Sequence, residues 1–324
     1  MLSETKGFFV VAQTTFDERG ALDLDSLDSL IDFYLRHGVD GFTVLGVAGE
    51  ANKLTHEEAL TVATRYIQRS DGKPVVVGVS NSSLAQLTEI TNAVMDRGAA
   101  GVMIAPPGGL KTEEDLLFYF NTVFSQIGNV PTVLQDFPFS TGVWMSVSSI
   151  LQLVENFPQI QLLKEEDLPS INKITRLRQS KGRRVAILTG NNGMYLPLEL
   201  GRGIDGPMAG FSHPEMLASV YKSFTQGRVE EANDLFDRYL PLLSYEAQGF
   251  WGVAARKEIM RRRGAMKHAT MRPPGPKLTK EDLAEIDMLV RRVERAVAVG
   301  GYECKVARLS DQHARNEIRL RRFQ

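Results

Sequence analysis

The feature that most constrains the fold is a repeated glycine pattern that joins helical segments to short apolar ones. It occurs at residues 36–46 (RHGVDGFTVLG), 97–106 (RGAAGVMIAP) and 202–210 (RGIDGPMAG). In each case a basic residue and a glycine end a helical segment, and a second glycine leads into an apolar run of strand length. Because the same turn recurs, the chain is predicted to consist of repeated αβ units.

Eight apolar runs of strand length alternate with amphipathic segments of helical spacing. They are FFVVAQ, FTVLG, PVVVGV, GVMIAP, VPTVLQDF, IQLLK, VAILTG and DGPMAG. Continuous apolar runs indicate a parallel sheet covered on both faces. Eight of them in regular alternation favour an α/β fold of the closed (β/α)₈ TIM barrel type over an open doubly wound sheet. Capping residues predict helix starts at Thr55, Ser83 and Thr112.

The remainder of the chain divides into two further parts. We expect the barrel to occupy residues 1–211 and a C-terminal helical extension, packed on the barrel, to occupy residues 212–300, where four segments have helical apolar spacing. Residues 301–324 form a basic tail. A solvated or frayed tail is favoured there over a partner contact, because chain termini are commonly poorly ordered.

Composition narrows the class of ligand. The formal charge is only -1, which gives no sign of nucleic acid or an anionic membrane as a partner. Cys304 is the only cysteine, and the five histidines lack metal-ligand spacing, so neither a metal nor another cofactor is expected. No signal peptide or run of about 18 apolar residues is found. We therefore expect a cytoplasmic protein that acts on a small molecule.

Lys164 stands out among the strand ends. In a parallel barrel the active site lies at the carboxyl ends of the strands, and Lys164 is the lysine found there, directly after two leucines. Desolvation disfavours the ammonium form of such a lysine, and the neutral amine can condense with a 2-keto group. The alternative is an ordinary lysine that reaches solvent or pairs with Glu165 or Glu166.

Several motifs, taken together, resemble one enzyme family. They are GVDGFTVLGVAGEANKLTHEE (38–58), the PP of GVMIAPP, LQDFP in strand five and LLKE in strand six. They resemble, in order and over about residues 7–300, the dihydrodipicolinate synthase / N-acetylneuraminate lyase family of class I aldolases. The resemblance implies that Lys164 forms a Schiff base with a 2-keto acid substrate. It also implies a homo-oligomer, either a dimer or a tetramer.

The loop after strand two departs from that family. Members that bind pyruvate usually carry a pair of hydroxyl residues inside the GxxGE motif, and here the pair is Val47 and Ala48. Neither side chain can donate a hydrogen bond, so carboxylate binding would fall to backbone N–H groups. Gly46 and Gly49 allow close approach of a ligand, and Glu50 is expected to fix the loop.

Further departures concern proton transfer and substrate charge. The family's tyrosine at the end of strand five corresponds to Gln135, its second relay tyrosine to Gly108 or Gly109, and its strand-five arginine to Ser140. These changes argue against dihydrodipicolinate synthesis. The QD sequence in strand five resembles a subgroup that includes 2-keto-3-deoxy-pentonate (2-keto-3-deoxyarabonate) dehydratases.

Dehydration requires a base near C3 of the substrate and an acid near the departing hydroxyl. Gln135 cannot titrate and can only orient water or substrate, whereas Asp136 is either a base or a structural carboxylate. Glu165 and the asparagines at 191 and 192 are the other polar candidates. The residues expected to bind substrate are Gly46, Val47, Ala48, Gly49, Glu50, Asn191 and Gly210.

The sequence therefore predicts a Schiff-base lyase that dehydrates a 2-keto-3-deoxy sugar acid or cleaves it by a retro-aldol reaction. Two alternatives stay open. One is a dihydrodipicolinate synthase with an altered proton relay. The other is a non-catalytic family member that binds keto acids.

Overall fold

The computed structural model describes residues 2–299, and its centre is a closed barrel of eight parallel strands in chain order. Each strand pairs with its sequence neighbours, and the last strand pairs with the first. The strands are β1 Phe9–Val11, β2 Gly41–Val44, β3 Val75–Gly78, β4 Gly101–Ile104, β5 Thr132–Asp136, β6 Ile160–Glu165, β7 Ala186–Thr189 and β8 Gly206–Ala209. The predicted TIM barrel and its eight strands are confirmed.

Helices follow the strands and continue beyond the barrel. They are α1 Leu24–Arg36, α2 His56–Arg69, α3 Leu84–Asp96, α4 Glu113–Ile127, α5 Pro138–Thr141, α6 Val147–Asn156, α7 Ser170–Gln179, α8 Leu196–Gly201, α9 Pro214–Thr225, α10 Val229–Glu246, α11 Gly249–Arg262 and α12 Lys280–Val299. The predicted caps are present. Thr55 and Thr112 each form a capping box, and Ser83 accepts from the backbone of Gln86.

Side chains of the strands divide into two apolar cores. Val133 and Leu162 belong to the core inside the barrel, whereas Leu134 and Leu163 pack in the layer between strands and helices. Because successive side chains of a strand point to opposite faces, Gln135 and the residue after Leu163 share the inward-facing positions. This alternation decides which polar groups at the strand ends face the barrel mouth.

The two ends of the barrel differ. At the amino ends of the strands, Leu2 is 4% exposed and joins the interior core, and its turn contacts β6 and β7. At the carboxyl ends, α11 contacts the turn Val47–Gly49 after β2, and Val253 of α11 joins the interior core. The C-terminal helices therefore help to build the mouth of the barrel.

A buried ion pair joins α10 to α11, and a backbone hydrogen bond links the same carboxylate to the segment after β8. The Nε atom of Arg256 on α11 donates to Glu246 at the end of α10 over 2.9 Å, and the backbone N–H of Ser212 donates to the same carboxylate over 3.1 Å. Both charged side chains are almost inaccessible to solvent. The predicted basic tail, 301–324, lies outside the described residues. None of the described helices has the length and apolar character to cross a membrane.

Candidate active site

Lys164 and Gln135 lie side by side at the mouth of the barrel. They are register partners on β6 and β5, and both face inward because the strand side chains alternate. The Lys164 side chain is buried at 4% exposure, and Gln135 is buried beside it. On its other side Lys164 is paired with Leu188 of β7, so the amine stands against an apolar wall.

Glu166 completes a polar group around the lysine. Its Oε2 atom lies 3.2 Å from Nζ of Lys164 and accepts a hydrogen bond from Nε2 of Gln135 over 2.7 Å. The backbone of Glu166 is also held, since its N–H donates to the carbonyl of Asp136 over 2.9 Å and its carbonyl accepts from Nδ2 of Asn191 over 3.2 Å. A titratable carboxylate therefore stands in contact with the lysine amine.

Gly190, at the end of β7, makes room for this carboxylate. A Cβ atom at position 190 would overlap the carboxyl group and Cγ of Glu166. The N–H of Gly190 donates to the carbonyl of Glu165 over 3.1 Å, which fixes the backbone at this close approach. Any larger residue would force the Glu166 side chain to move.

Asp136 does not join this group. Its carboxylate lies on the outer face of the sheet, where Oδ2 pairs with Nζ of Lys173 from α7. Burial raises the pKa of Asp136, and the ammonium of Lys173 opposes that shift. The structure brings Lys164, Gln135 and Glu166 together and places Asp136 on the opposite side of the same strands.

The loop after β2 is fixed by Glu50. This residue has a left-handed backbone (φ 55°), is fully buried, and accepts from Lys53 over 2.8 Å and from the backbone N–H of Arg272 over 3.0 Å. Nζ of Lys257 on α11 donates to the other carboxylate oxygen. The turn Val47–Gly49 thereby gains a rigid support, and its first two amides have no partner within the turn.

The loop after β7 and the end of β8 form the remaining side of the mouth. Asn191 and Asn192 both have positive φ angles, as do Leu45 and Glu50 in the β2 loop. Non-glycine residues in this region carry backbone strain, which is commonly found at functional sites. Gly210 lies beneath the guanidinium of Arg256, which leaves no room for a side chain there.

Glu166 is a polar neighbour of Lys164 that the sequence pattern does not single out. The sequence predicts only an ion pair with an ordinary lysine for Glu166, whereas the structure places its carboxylate 3.2 Å from Nζ of the buried Lys164. The run Lys164-Glu165-Glu166 contains the missed signal, because residues two apart on an extended strand share a face. No sequence pattern predicts the positions of Arg256 and Lys257 at the mouth, because only the packing of α11 brings them there.

The support of the β2 loop can be tested by unfolding. Lys257→Met removes one cation from the fully buried Glu50, and loss of one partner from a buried pair costs about 3–5 kcal/mol of the free energy of unfolding. Burial lowers the pKa of Lys257 to about 8, while Glu50 opposes this shift. Urea denaturation measures the cost.

Arg69→Met is the matched control, because Arg69 pairs with Asp32 at the surface, where such pairs contribute at most about 1 kcal/mol. Equal costs for the two variants would show that the buried pair does not support the loop.

Comparison with known proteins agrees with this architecture. The sequence model of the dihydrodipicolinate synthetase family matches residues 4–293. The crystal structure of dihydrodipicolinate synthase from Rhodopseudomonas palustris superposes with a TM-score of 0.88 at 42% sequence identity, and the alignment covers 90% of this chain and 99% of that one.

Two curated relatives have different activities in their names. The 4-hydroxy-tetrahydrodipicolinate synthase of Oceanobacillus iheyensis is 29% identical over 235 residues, which are 71% of this chain and 78% of that protein. The L-2-keto-3-deoxyarabonate dehydratase of Azospirillum brasilense is 27% identical over 297 residues, 90% of this chain and 96% of that protein. Because the family match spans almost all of the described barrel and helices, this protein belongs to the dihydrodipicolinate synthetase family and is a lyase of the class I aldolase type.

Proposed function

We propose that this lyase forms a Schiff base between Lys164 and a 2-keto acid and dehydrates a 2-keto-3-deoxy sugar acid. The observation that carries the proposal is the contact of 3.2 Å between Nζ of Lys164 and the carboxylate of Glu166. Glu166 can accept and return a proton, which Gln135, in the family's tyrosine position, cannot do. By family resemblance we also expect a cytoplasmic homo-oligomer, a dimer or a tetramer.

The first stage is formation of the imine. Glu166 takes a proton from the ammonium of Lys164, and the free amine attacks C2 of the keto acid. The new C–N bond gives a carbinolamine, and Glu166 returns the proton to the C2 hydroxyl as it leaves as water. Buried Leu188 beside the lysine limits the access of bulk water to the imine.

The second stage is elimination. Glu166 removes a proton from C3, and the electron pair moves into the iminium to give an enamine. The C4–O bond then breaks, and the proton held by Glu166 leaves with the hydroxide as water. Hydrolysis of the unsaturated imine restores the Lys164 amine and releases a keto acid that has lost one molecule of water. A single carboxylate can serve as both base and acid because the same proton is taken and returned.

Two further observations support dehydration. The relative named L-2-keto-3-deoxyarabonate dehydratase aligns along 90% of this chain, so its likeness includes the C-terminal helices that build the mouth. Ser140 in α5 occupies the position of the family arginine that helps to hold an acidic second substrate. We assign the keto-acid carboxylate to the free amides at the start of the turn Val47–Gly49.

A synthase activity is the second candidate. The solved structure that is 42% identical to this chain is named a dihydrodipicolinate synthase. The two activities are separated by direct assay of the purified protein. A 2-keto-3-deoxy-pentonate should lose one molecule of water, whereas pyruvate with aspartate semialdehyde should give no condensation product. The reverse result would assign the synthase activity, and turnover of neither would indicate a ligand-binding protein or a different keto acid.

Reduction with borohydride tests the Schiff base. With pyruvate present, mass spectrometry should locate the reduced adduct on Lys164, and Lys164→Met should give no adduct and lower turnover by at least about 10³-fold. Lys257 is the internal control, because it is equally buried but bound to Glu50. An adduct on Lys257, or on neither lysine, would contradict the assignment.

The role of Glu166 is tested separately from imine formation. Glu166→Gln keeps a hydrogen-bond acceptor near Lys164 but cannot transfer protons, so turnover should fall by about 10²- to 10⁴-fold while the pyruvate adduct still forms on prolonged incubation. Gly190→Ala, which displaces the Glu166 carboxylate, should also lower turnover.

Gly201→Ala is the matched control, since its Cβ would meet only the Phe224 ring at 4.0 Å. Unchanged turnover of Glu166→Gln would remove Glu166 from the mechanism.

A further inference from the structure

A cluster of buried charged groups lies directly behind the lysine. It consists of Asp136 on β5, Glu165 on β6, Asp167 after β6 and Lys173 on α7, and we name it the carboxyl cluster. Asp136 and Glu165 are fully buried, and they are register partners on the outer face of the sheet. Each is one residue away from a group at the barrel mouth, namely Gln135 and Lys164. The carboxyl cluster and the proposed active site therefore share the strand ends of β5 and β6.

The cluster contains more acidic than basic groups. Nζ of Lys173 pairs with Oδ2 of Asp136 and with Asp167 over 2.9 Å, and the N–H of Asp167 donates to Oε1 of Glu165 over 3.0 Å. Three carboxyl groups thus share one ammonium. Asp167 and Lys173 are partly exposed, but Asp136 and Glu165 are fully buried, so two ionised carboxylates at these positions would be unfavourable in a medium of low polarity.

Two buried carboxyl oxygens indicate how this excess of negative charge is avoided. Within residues 2–299, Oδ1 of Asp136 and Oε2 of Glu165 are buried and receive no N–H or O–H donor from another residue. Because Asp136 and Glu165 are register partners on the outer face of the sheet, a proton kept by one of them can be donated to the other and would satisfy both oxygens. Burial, followed by the charge of Asp136, raises the pKa of Glu165 well above its usual value. Because Asp136 already holds the ammonium of Lys173 and no ion pair joins Glu165 to a cation in the described chain, the proton is assigned to Glu165.

No second cation reaches Glu165 from the neighbouring elements that pack against it in the described chain. Its register partner on β7 is Thr189, which carries no charge, and the nearby Glu199 of α8 accepts from Ser170 of α7 over 2.6 Å. The charged groups that face Glu165 are those of the carboxyl cluster alone. Lys173 is already held by Asp136 and Asp167.

We propose that Glu165 is a positioning residue that keeps its proton and donates it to Asp136, holding the backbone of Lys164 and Glu166 without placing another negative charge behind the amine. This role rests on the proposed function of Lys164 as the Schiff-base residue. Backbone hydrogen bonds connect the cluster to the active-site strand ends. The N–H of Glu166 donates to the carbonyl of Asp136 over 2.9 Å, and the carbonyl of Glu165 accepts from Gly190 over 3.1 Å. An ionised Glu165 would repel Asp136 and stabilise the ammonium form of Lys164.

Infrared spectroscopy tests the shared proton without any substrate. At neutral pH the wild-type protein should show the C=O band of a protonated carboxylic acid that is absent from Glu165→Gln. Asp136→Asn removes the negative charge that adds to burial in keeping the proton on Glu165, so the same band should weaken there. Glu199→Gln is the matched control, because it changes a nearby buried carboxyl group and should leave the band of Glu165 in place.

The pH dependence of the melting temperature is a second test of whether Glu165 keeps its proton. Glu165 ionises in the unfolded chain near its ordinary pKa of about 4 but keeps its proton in the folded protein, so its contribution to stability is complete below that value and is lost as the pH rises towards the folded pKa. Glu165→Gln cannot titrate and escapes this loss. Its melting temperature, relative to wild type, should therefore rise between acidic and mildly alkaline pH.

The effect on Lys164 is measured by the rate of pyruvate trapping, which does not depend on the identity of the natural substrate. Glu165→Gln should trap pyruvate at a rate close to that of wild type at neutral pH and keep this rate to higher pH. Glu165→Ala should trap it about 10²-fold more slowly, because the strand segment loses its support.

The outcomes are distinct. Absence of the acid band from wild type, its persistence in Glu165→Gln, or loss of trapping in a folded Glu165→Gln would overturn the proposal. If Glu165→Gln does not fold, a band unaffected by Asp136→Asn would overturn it instead. Failure of the dehydration assay would leave the band and the trapping rates as they are, so the two proposals fail separately.

Discussion

The alternation of side chains along the end of β6 is the constraint on which the rest of the site depends. Lys164 faces the barrel interior and Glu165 faces the helices, and Glu166 returns to the interior side, where it contacts the lysine at 3.2 Å. Three consecutive ionisable residues, one basic and two acidic, are therefore divided between two surroundings. The inner pair is in contact, as the proposed proton exchange requires, and the outer residue enters a cluster that contains a single ammonium, that of Lys173.

The closed ladder makes this alternation effective. Because β6 is hydrogen-bonded on both sides, to β5 and to β7, its register brings Gln135 beside Lys164 and Asp136 beside Glu165. A slip of one residue would exchange the two environments and place a carboxylate inside the apolar barrel. Gly190 belongs to the same arrangement, since the lack of a side chain there creates the space that Glu166 fills.

The C-terminal helices do more than cover the barrel, because they also supply charged partners for its buried carboxylates. α11 delivers Lys257 to Glu50 and Arg256 to Glu246, and both pairs are withdrawn from solvent. The first pair ties the β2 loop to a helix remote in the chain, and the second fixes Glu246, which also accepts from the backbone N–H of Ser212 after β8. In the proposed function, the turn Val47–Gly49, whose first two amides have no partner within the turn, takes the place of the hydroxyl residues that usually meet the substrate in this family, because backbone N–H groups also bind carboxylates.

The sequence by itself determined the barrel, the helix caps and the position of Lys164 at a strand end, because apolar periodicity, glycine turns and capping residues are local signals. It also indicated that Gln135 could not relay protons. It left Asp136 and Glu166 undecided, since both are acidic residues near a strand end and only the register and face of the folded strands separate them. The tertiary structure turned Asp136 towards Lys173 and Glu166 towards Lys164. It alone could bring α11 to the mouth, because contacts between residues some 200 positions apart depend on packing, which no short stretch of sequence encodes.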